Sequence, residues 1–465
     1  MLGRLLKNRN RNYEIDMTSG NILPKVIWFT VPLMLTSILQ LLYNAADVIV
    51  VGRFTGAEAL AAVGSTGSLI NLIVNVFLGL SVGTNVIAAN NIGARDFEGT
   101  QDTVHTSIAV SLIGGVILGV FGFAFGGTFL KWMGSPEDVL PLATTYIKIF
   151  FLGMPFNMLY NFGAAVLRAV GDTRRPLYFL SVAGAVNVVL NLIFVIKFHM
   201  GVAGVAWATI ISQMISAVLV LICLVRTQGY VHLDLKKLRV RKKNLLEMTR
   251  VGLPAGFQGA CFSISNVLIQ STVNSYGAIV VAGNSASQNL ENFIYVSMNA
   301  LHQSAVTFVS ANIGAGRNDR IRKCMGVCVF LVVCVGLGMG LIALPLMRQL
   351  LGVYSPDSAV VEAGVMRLRI FCLTYFTCGI MDVLCGSLRG MGTSVVPMIV
   401  SILGSCVLRI VWIYTVLPLF PDPEFRRRML YMSYPISWVL TSTVHLICCL
   451  FWLKKYPVKG ELKGV

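Results

Sequence analysis

Charge is scarce in this chain. Only 12% of its 465 residues are Asp, Glu, Lys or Arg, about half the share usual in a soluble globular domain. With 56% hydrophobic residues and a mean hydropathy of +0.76, that shortage excludes a soluble enzyme or binding module. Metal chemistry lacks its ligands. The five histidines, His105, His199, His232, His302 and His445, are scattered, and the eleven cysteines contain no CxxC pair. Ten of those cysteines lie beyond residue 260, nearly all in apolar stretches, and read as small packing residues rather than disulfides or zinc ligands. No cofactor is expected. Acidic clusters of the DDxxD kind are missing too, and with them the Mg²⁺ site of a membrane-bound prenyl transferase.

What the chain has in plenty is apolar runs long enough to cross a bilayer. Their approximate limits are 26–50, 59–85, 104–130, 142–166, 177–197, 202–225, 248–273, 278–305, 324–347, 364–387, 395–418 and 430–453. The fold class expected is an all-α polytopic membrane protein of twelve transmembrane helices. An even number puts both termini on one side. The basic residues of the N-terminus (Arg4, Lys7, Arg9, Arg11), the loop 226–250, the loop 317–323 and the tail (Lys454, Lys455, Lys459, Lys463) all fall there. By the positive-inside rule that side is cytoplasmic, in a cell membrane. The outside loop with Arg426, Arg427 and Arg428 is the exception, and Asp422 and Glu424 accompany it. The net charge of +17 thus reports topology, and its dispersal over short loops argues against a nucleic-acid partner. The first span is expected to act as the targeting signal.

An internal repeat organises the chain at an offset of about 221 residues. Asn91-Ile92-Gly93-Ala94 returns as Asn312-Ile313-Gly314-Ala315, and Leu167-Arg168-x-x-Gly171-x4-Pro176 returns as Leu388-Arg389-x-x-Gly392-x4-Pro397. Ser135-Pro136 and Ser355-Pro356 keep the frame. Six spans per repeat give parallel halves, the arrangement of transporters that work by alternating access. The expected segments are 1–24, a cytoplasmic N-terminal segment; 25–225, the first lobe; 226–247, a basic linker; 248–453, the second lobe; and 454–465, a cytoplasmic tail.

One carboxylate, Asp47, lies within the first run. A charge at that depth costs roughly 2.5–3.5 kcal/mol on insertion scales and by default marks function. Counting ~1.5 Å per residue places Asp47 at a depth shared by Asn187 and Asn191 in the fifth span and Thr209 in the sixth. Asn187 and Asn191 are i,i+4 and share a helix face. A carboxylate, two amides and a hydroxyl make a hard oxygen set suited to Na⁺, and the same carboxylate can instead take a proton. Tyr43, one turn before Asp47, is a candidate donor to it. Pro32 in the first span, matched by Pro254 in the seventh, permits a hinge. In the second half Asn266, Leu408 and Trp412 stand where Asp47, Asn187 and Asn191 stand in the first. Its own apolar spans hold Glu291, Asp382 and Arg409, which read most simply as a neutralising ion pair and otherwise as a second ion or substrate site.

These features resemble the multidrug and toxic compound extrusion (MATE) exporters of the bacterial type. The residues that carry the resemblance are Gln40-Leu41-Leu42-Tyr43-Asn44-Ala45-Ala46-Asp47 with Gly52, both NIGA segments and both LRxxG…P segments, and it covers about residues 20–455. It implies twelve helices in two pseudo-symmetric lobes forming a V. It implies efflux of organic, often cationic, amphiphiles in exchange for H⁺ or Na⁺, with Asp47 as coupling residue and Asn187, Asn191 and Thr209 completing its site. Where some members carry a second aspartate, this chain has Asn191. Partners expected are a small organic substrate and membrane lipids, with the monomer as the functional unit. A lipid or oligosaccharide flippase of the same superfamily is the alternative, but it calls for basic residues that the first lobe's spans largely lack.

Overall fold

The computed structural model describes residues 13–133 and 136–456. The N-terminal Arg4, Lys7, Arg9 and Arg11, the tail residues Lys459 and Lys463, and Ser135 of the Ser-Pro match lie outside the described residues. All regular structure among the described residues is helical, in twelve consecutive spans. The first six are Ile22–Phe54, Ala57–Gly93, Phe97–Trp132, the bent pair Leu140–Leu152 and Met154–Ala169, Arg174–Leu192 with a π-helical turn Ile193–Lys197, and Gly201–Arg226. The last six are Lys242–Asn274, Ala278–Gly314, Asn318–Gly352, Ser358–Gly390, 395–415 with a π-helical turn at Ile402–Val407, and Pro423–Leu453. Nine helices among the described residues, or ten with the bent pair, are long and apolar enough to cross a membrane. The seventh and eighth spans, 33 and 37 residues long, have the length but carry more polar side chains.

Most helices overrun the apolar limits read from sequence, because hydropathy sees only the hydrocarbon-facing stretch while the backbone ladder continues into polar ends. The repeated motifs mark helix stops. In LRxxG the glycine adopts a positive φ, 83° at Gly171 and 81° at Gly392. The next N–H, of Asp172 or Thr393, returns to the Leu167 or Leu388 carbonyl. That is a left-handed C-cap, which a side chain at the glycine would strain. The fourth span bends by 48° between Leu152 and Met154, where Gly153 and Pro155 interrupt the ladder.

The described residues group into two compact units: 13–17 with Val31–Gly256, and Thr18–Thr30 with 257–456. The chain passes from one unit to the other beside Pro32 and Pro254. Helix Ile22–Phe54 nonetheless runs unbroken through Pro32.

Within the first unit the second span meets the first half of the seventh backbone to backbone. A Cβ on Gly83 would stand 2.2 Å from the Met248 carbonyl oxygen, and one on Gly79 would stand 2.3 Å from the Gly256 nitrogen. Small residues four apart allow such approach, which matters where lipid removes any hydrophobic drive for helices to pair. Gly83→Leu is therefore expected to lower the apparent melting temperature of the detergent-solubilised protein by several degrees, whereas Gly67→Leu, where a Cβ meets nothing within 4 Å, leaves it unchanged. A thermal unfolding assay on the two variants checks this.

The basic segment between the halves is docked. Arg239 and Arg241 pair with Asp102 at 3.0 and 3.1 Å, and Gln101 donates to the Gly229 and Tyr230 carbonyls. The Asp234 N–H donates to His105, while Val231 and Leu233 are buried. The Lys236 N–H, bonded to the Asp234 carboxylate, holds that group below the usual carboxylate range.

Candidate functional site

A shell of small and branched apolar residues fixes the geometry around Asp47. Val50 and Val51 of the first span, Ala59 of the second, Tyr146 of the fourth, Val195 of the fifth and Val202, Val205 and Ala206 of the sixth form one buried cluster. Asp47 lies on the same helix, one turn before Val50 and Val51, seven residues before the helix ends at Phe54. Its carboxylate faces the fifth and sixth spans.

The four residues expected to meet do so. Asn191 Nδ2 donates to Asp47 Oδ1, and also to Asn187 Oδ1 at 3.2 Å. Thr209 Oγ1 stands 3.5 Å from Asp47 Oδ2 and 2.9 Å from the Val205 carbonyl oxygen. A hydroxyl has a single proton, and the shorter contact takes it. The Val205 carbonyl therefore competes for the Thr209 proton, which leaves the contact to Asp47 long and the Thr209 oxygen free to turn toward a bound cation. Asn187 and Asn191 are buried, 4% and 0% exposed, and Asp47 is half-buried. The Asn191 Oδ1 atom is buried with no hydrogen-bond partner. An orphaned acceptor beside a carboxylate is a costly arrangement for a purely structural network. It supplies a further oxygen if the amide turns toward a bound ion.

Tyr43 is not a partner of Asp47. Its hydroxyl donates to the Ser181 carbonyl at 3.4 Å, and its ring lies over Gly184, where a Cβ would come within 1.9 Å of it. A second tyrosine, Tyr146, belongs to the buried cluster beside Val50 and Val51. It is 7% exposed and stacks on Phe150. Nothing in its local sequence announces it, since it sits in a run of aromatic and β-branched residues.

Glu291, Asp382 and Arg409 do not pair with one another. Glu291 pairs with Arg367, not with Arg409: Arg367 Nε and Nη2 donate to its two oxygens at 2.8 and 2.7 Å. A third donor, Nη1, reaches Asn284 Oδ1 at 2.8 Å, and the guanidinium lies 4.4 Å from the Phe371 ring centre. Arg367 falls near the start of the tenth apolar run, where a charge reads as interfacial, yet it is 3% exposed. The repeat frame was the available signal, because it sets Arg367 opposite Tyr146. Asp382 makes neither of the expected pairs. Its backbone carbonyl bonds His302 Nδ1 at 2.6 Å, and the charge acting on its carboxylate is that of Arg389. Arg389 in turn donates to Gln258 at 2.9 Å. Arg409 gives one hydrogen bond, from Nε to Ser437 Oγ at 2.8 Å.

The MatE family profile matches residues 32–193 and again 254–415, once in each half. The chain belongs to the MatE family. MatE proteins are membrane transporters rather than enzymes, and this member is a multi-pass membrane protein. It is 29% identical over 394 residues, 85% of this chain and 88% of the other, to the probable multidrug resistance protein YpnP of Bacillus subtilis. Its fold matches an outward-facing multidrug resistance MATE family transporter of the MOP superfamily, with a TM-score of 0.88, 22% identity and coverage of 95% and 98% of the two chains. A MOP superfamily transporter from Pyrococcus furiosus, described as having a binding pocket of reverse polarity that suggests a different function, matches with a TM-score of 0.87 and 21% identity over the same shares.

Proposed function

We propose that this MatE protein is a secondary antiporter in the cell membrane, with both termini cytoplasmic. It exports organic amphiphiles, often cationic, in exchange for H⁺ or Na⁺ by alternating access. The coupling ion binds at Asp47, completed by Asn187, Asn191 and Thr209. The observation that carries this reading is the half-buried Asp47 carboxylate held between Asn191 and Thr209, with the Asn191 carbonyl oxygen left without a partner. A charge kept at membrane depth, with spare oxygens around it and no basic partner among the described residues, is built to receive a cation. The single formal charge in the set favours the proton, because Na⁺ sites gain from more than one anionic ligand. Pro32, beside the passage between units, is the place where a change at Asp47 can bend the first span.

The test is ethidium efflux from proteoliposomes under an imposed pH gradient or an imposed Na⁺ gradient. Export driven by the pH gradient alone is expected. Export driven only by Na⁺ would reverse the choice of ion, and no export under either gradient would reject the antiporter in favour of a lipid or oligosaccharide flippase.

A further inference from the structure

The tenth and eleventh spans of the second unit bury three arginines, and only two carboxylates, Glu291 and Asp382, stand deep enough in the unit to balance them. Arg367 is matched by Glu291 in a two-pronged ion pair. The charge of Arg389 falls on Asp382. Arg409 is left over. It is 5% exposed, makes its single hydrogen bond to a hydroxyl, and no carboxylate among the described residues lies within ion-pairing distance. The groups that lie against its guanidinium, Tyr434 and Trp438, are neutral near pH 7. The imbalance is also local. Arg367 and Arg409 share one ring, Tyr434, at 5.5 and 4.2 Å from its centre, so two guanidinium groups press on a cluster with one carboxylate.

Aromatic faces soften this charge without neutralising it. Arg409 lies over Tyr434 and 5.6 Å from the centre of the Trp438 ring, contacts that contribute about 0.5–2 kcal/mol each. An unmatched charge at this depth costs more than that. The four N–H groups of its terminal nitrogens donate no hydrogen bond among the described residues. A second, independent feature aims it. The eleventh span carries a π-helical turn at Ile402–Val407, two residues before Arg409, whereas the matching fifth span carries its π-helical turn beyond Asn191. Such turns insert one residue, rotate the helix beyond them and recur at functional sites. Arg409 stands six residues from the end of its helix at Thr415, much as Asp47 stands seven from the end of its own.

We infer that Arg409, with Tyr434, Trp438 and Tyr375, forms an anion subsite for the carboxylate of an exported aromatic compound. The guanidinium fork suits a planar carboxylate, and the rings suit stacking. This inference rests on the exporter reading and narrows its substrate class from cations to amphiphiles that also carry an anionic group.

The test uses a xanthene dye with a free benzoate and the same dye as its methyl ester, titrated by fluorescence polarisation against the full chain in lipid nanodiscs. Wild type is expected to bind the benzoate form about 10- to 100-fold more tightly, the range of a charge-assisted hydrogen-bonded pair. Arg409→Met is expected to remove that preference while binding the ester as wild type does, and Arg409→Lys to retain part of it. Equal binding of both forms by wild type, or an undiminished preference in Arg409→Met, overturns the inference. Should Arg409→Met fail to bind the ester, loss of the fold is indicated, and Arg409→Lys decides: a preference equal to wild type overturns the inference, a reduced one supports it. Ethidium efflux under a gradient judges the exporter reading separately.

Discussion

Asp47→Asn is expected to abolish gradient-driven ethidium efflux while leaving the protein folded. The asparagine is nearly isosteric, and its carbonyl oxygen can still accept from Asn191 Nδ2. What it loses is the only formal charge of the cluster, and with it the ability to exchange a proton or neutralise Na⁺. Removing one partner of a buried charge interaction costs on the order of 3 kcal/mol, about 100-fold in ion affinity. Efflux should therefore fall to the rate of empty liposomes under either gradient, with an unchanged melting temperature. Asp47→Glu keeps the charge but moves it by one methylene, and partial coupling is expected. The measurement is the initial rate of fluorescence change in proteoliposomes of matched protein content. Normal coupling in Asp47→Asn would make the carboxylate structural and turn attention to Asp382.

The second large effect concerns stability rather than transport. Glu291 and Arg367 are each about 3% exposed and satisfy one another through two parallel hydrogen bonds, with Asn284 taking a third donor. Breaking a buried pair from one side leaves the other charge in an apolar setting and costs about 3–5 kcal/mol. Glu291→Gln or Arg367→Met should each lower the apparent melting temperature by about 10 °C, taking 2–4 °C per kcal/mol for a unit of this size. The double substitution Glu291→Leu with Arg367→Met should recover most of that loss, since an apolar pair can replace a buried ion pair at little cost. Thermal unfolding of wild type, Glu291→Leu, Arg367→Met and the double variant forms a double-mutant cycle, and its coupling energy is the quantity sought. Glu291→Gln melting with wild type would show that the pair holds nothing together, and a cation-binding role for Glu291 would then be the better account.

Much of the membrane architecture was legible in the sequence, because lipid makes strong demands. Every backbone group in a span must be bonded within it, so long apolar runs translate almost directly into helices. The cluster around Asp47 was legible for a related reason: few polar residues occur at that depth, so depth counting alone brought Asp47, Asn187, Asn191 and Thr209 together. Azimuth was not legible. Tyr43 is one turn from Asp47 in sequence but its hydroxyl bonds the Ser181 carbonyl of the fifth span, and the choice of Arg367 over Arg409 as partner of Glu291 depends on how the eighth, tenth and eleventh spans face one another. The π-helical turns were equally hidden, since each adds one residue to the register without changing composition. Arg367 shows a further limit, because a charge near the end of an apolar run looks interfacial until packing covers it.

The passage of the chain between its two units near Pro32 and Pro254 bears on how the protein can be made in pieces. The duplication suggests a natural cut in the basic segment between residues 226 and 242, yielding two fragments of similar length. Neither fragment would hold a whole folding unit. The N-terminal fragment would lack residues up to Gly256, whose glycines seat against the second span, and would carry Thr18–Thr30, which belong with the other unit. Each fragment would insert with a set of bare helix faces that only its counterpart can cover. The repeat divides the chain in its basic segment, whereas the compact units divide it within the first and seventh helices.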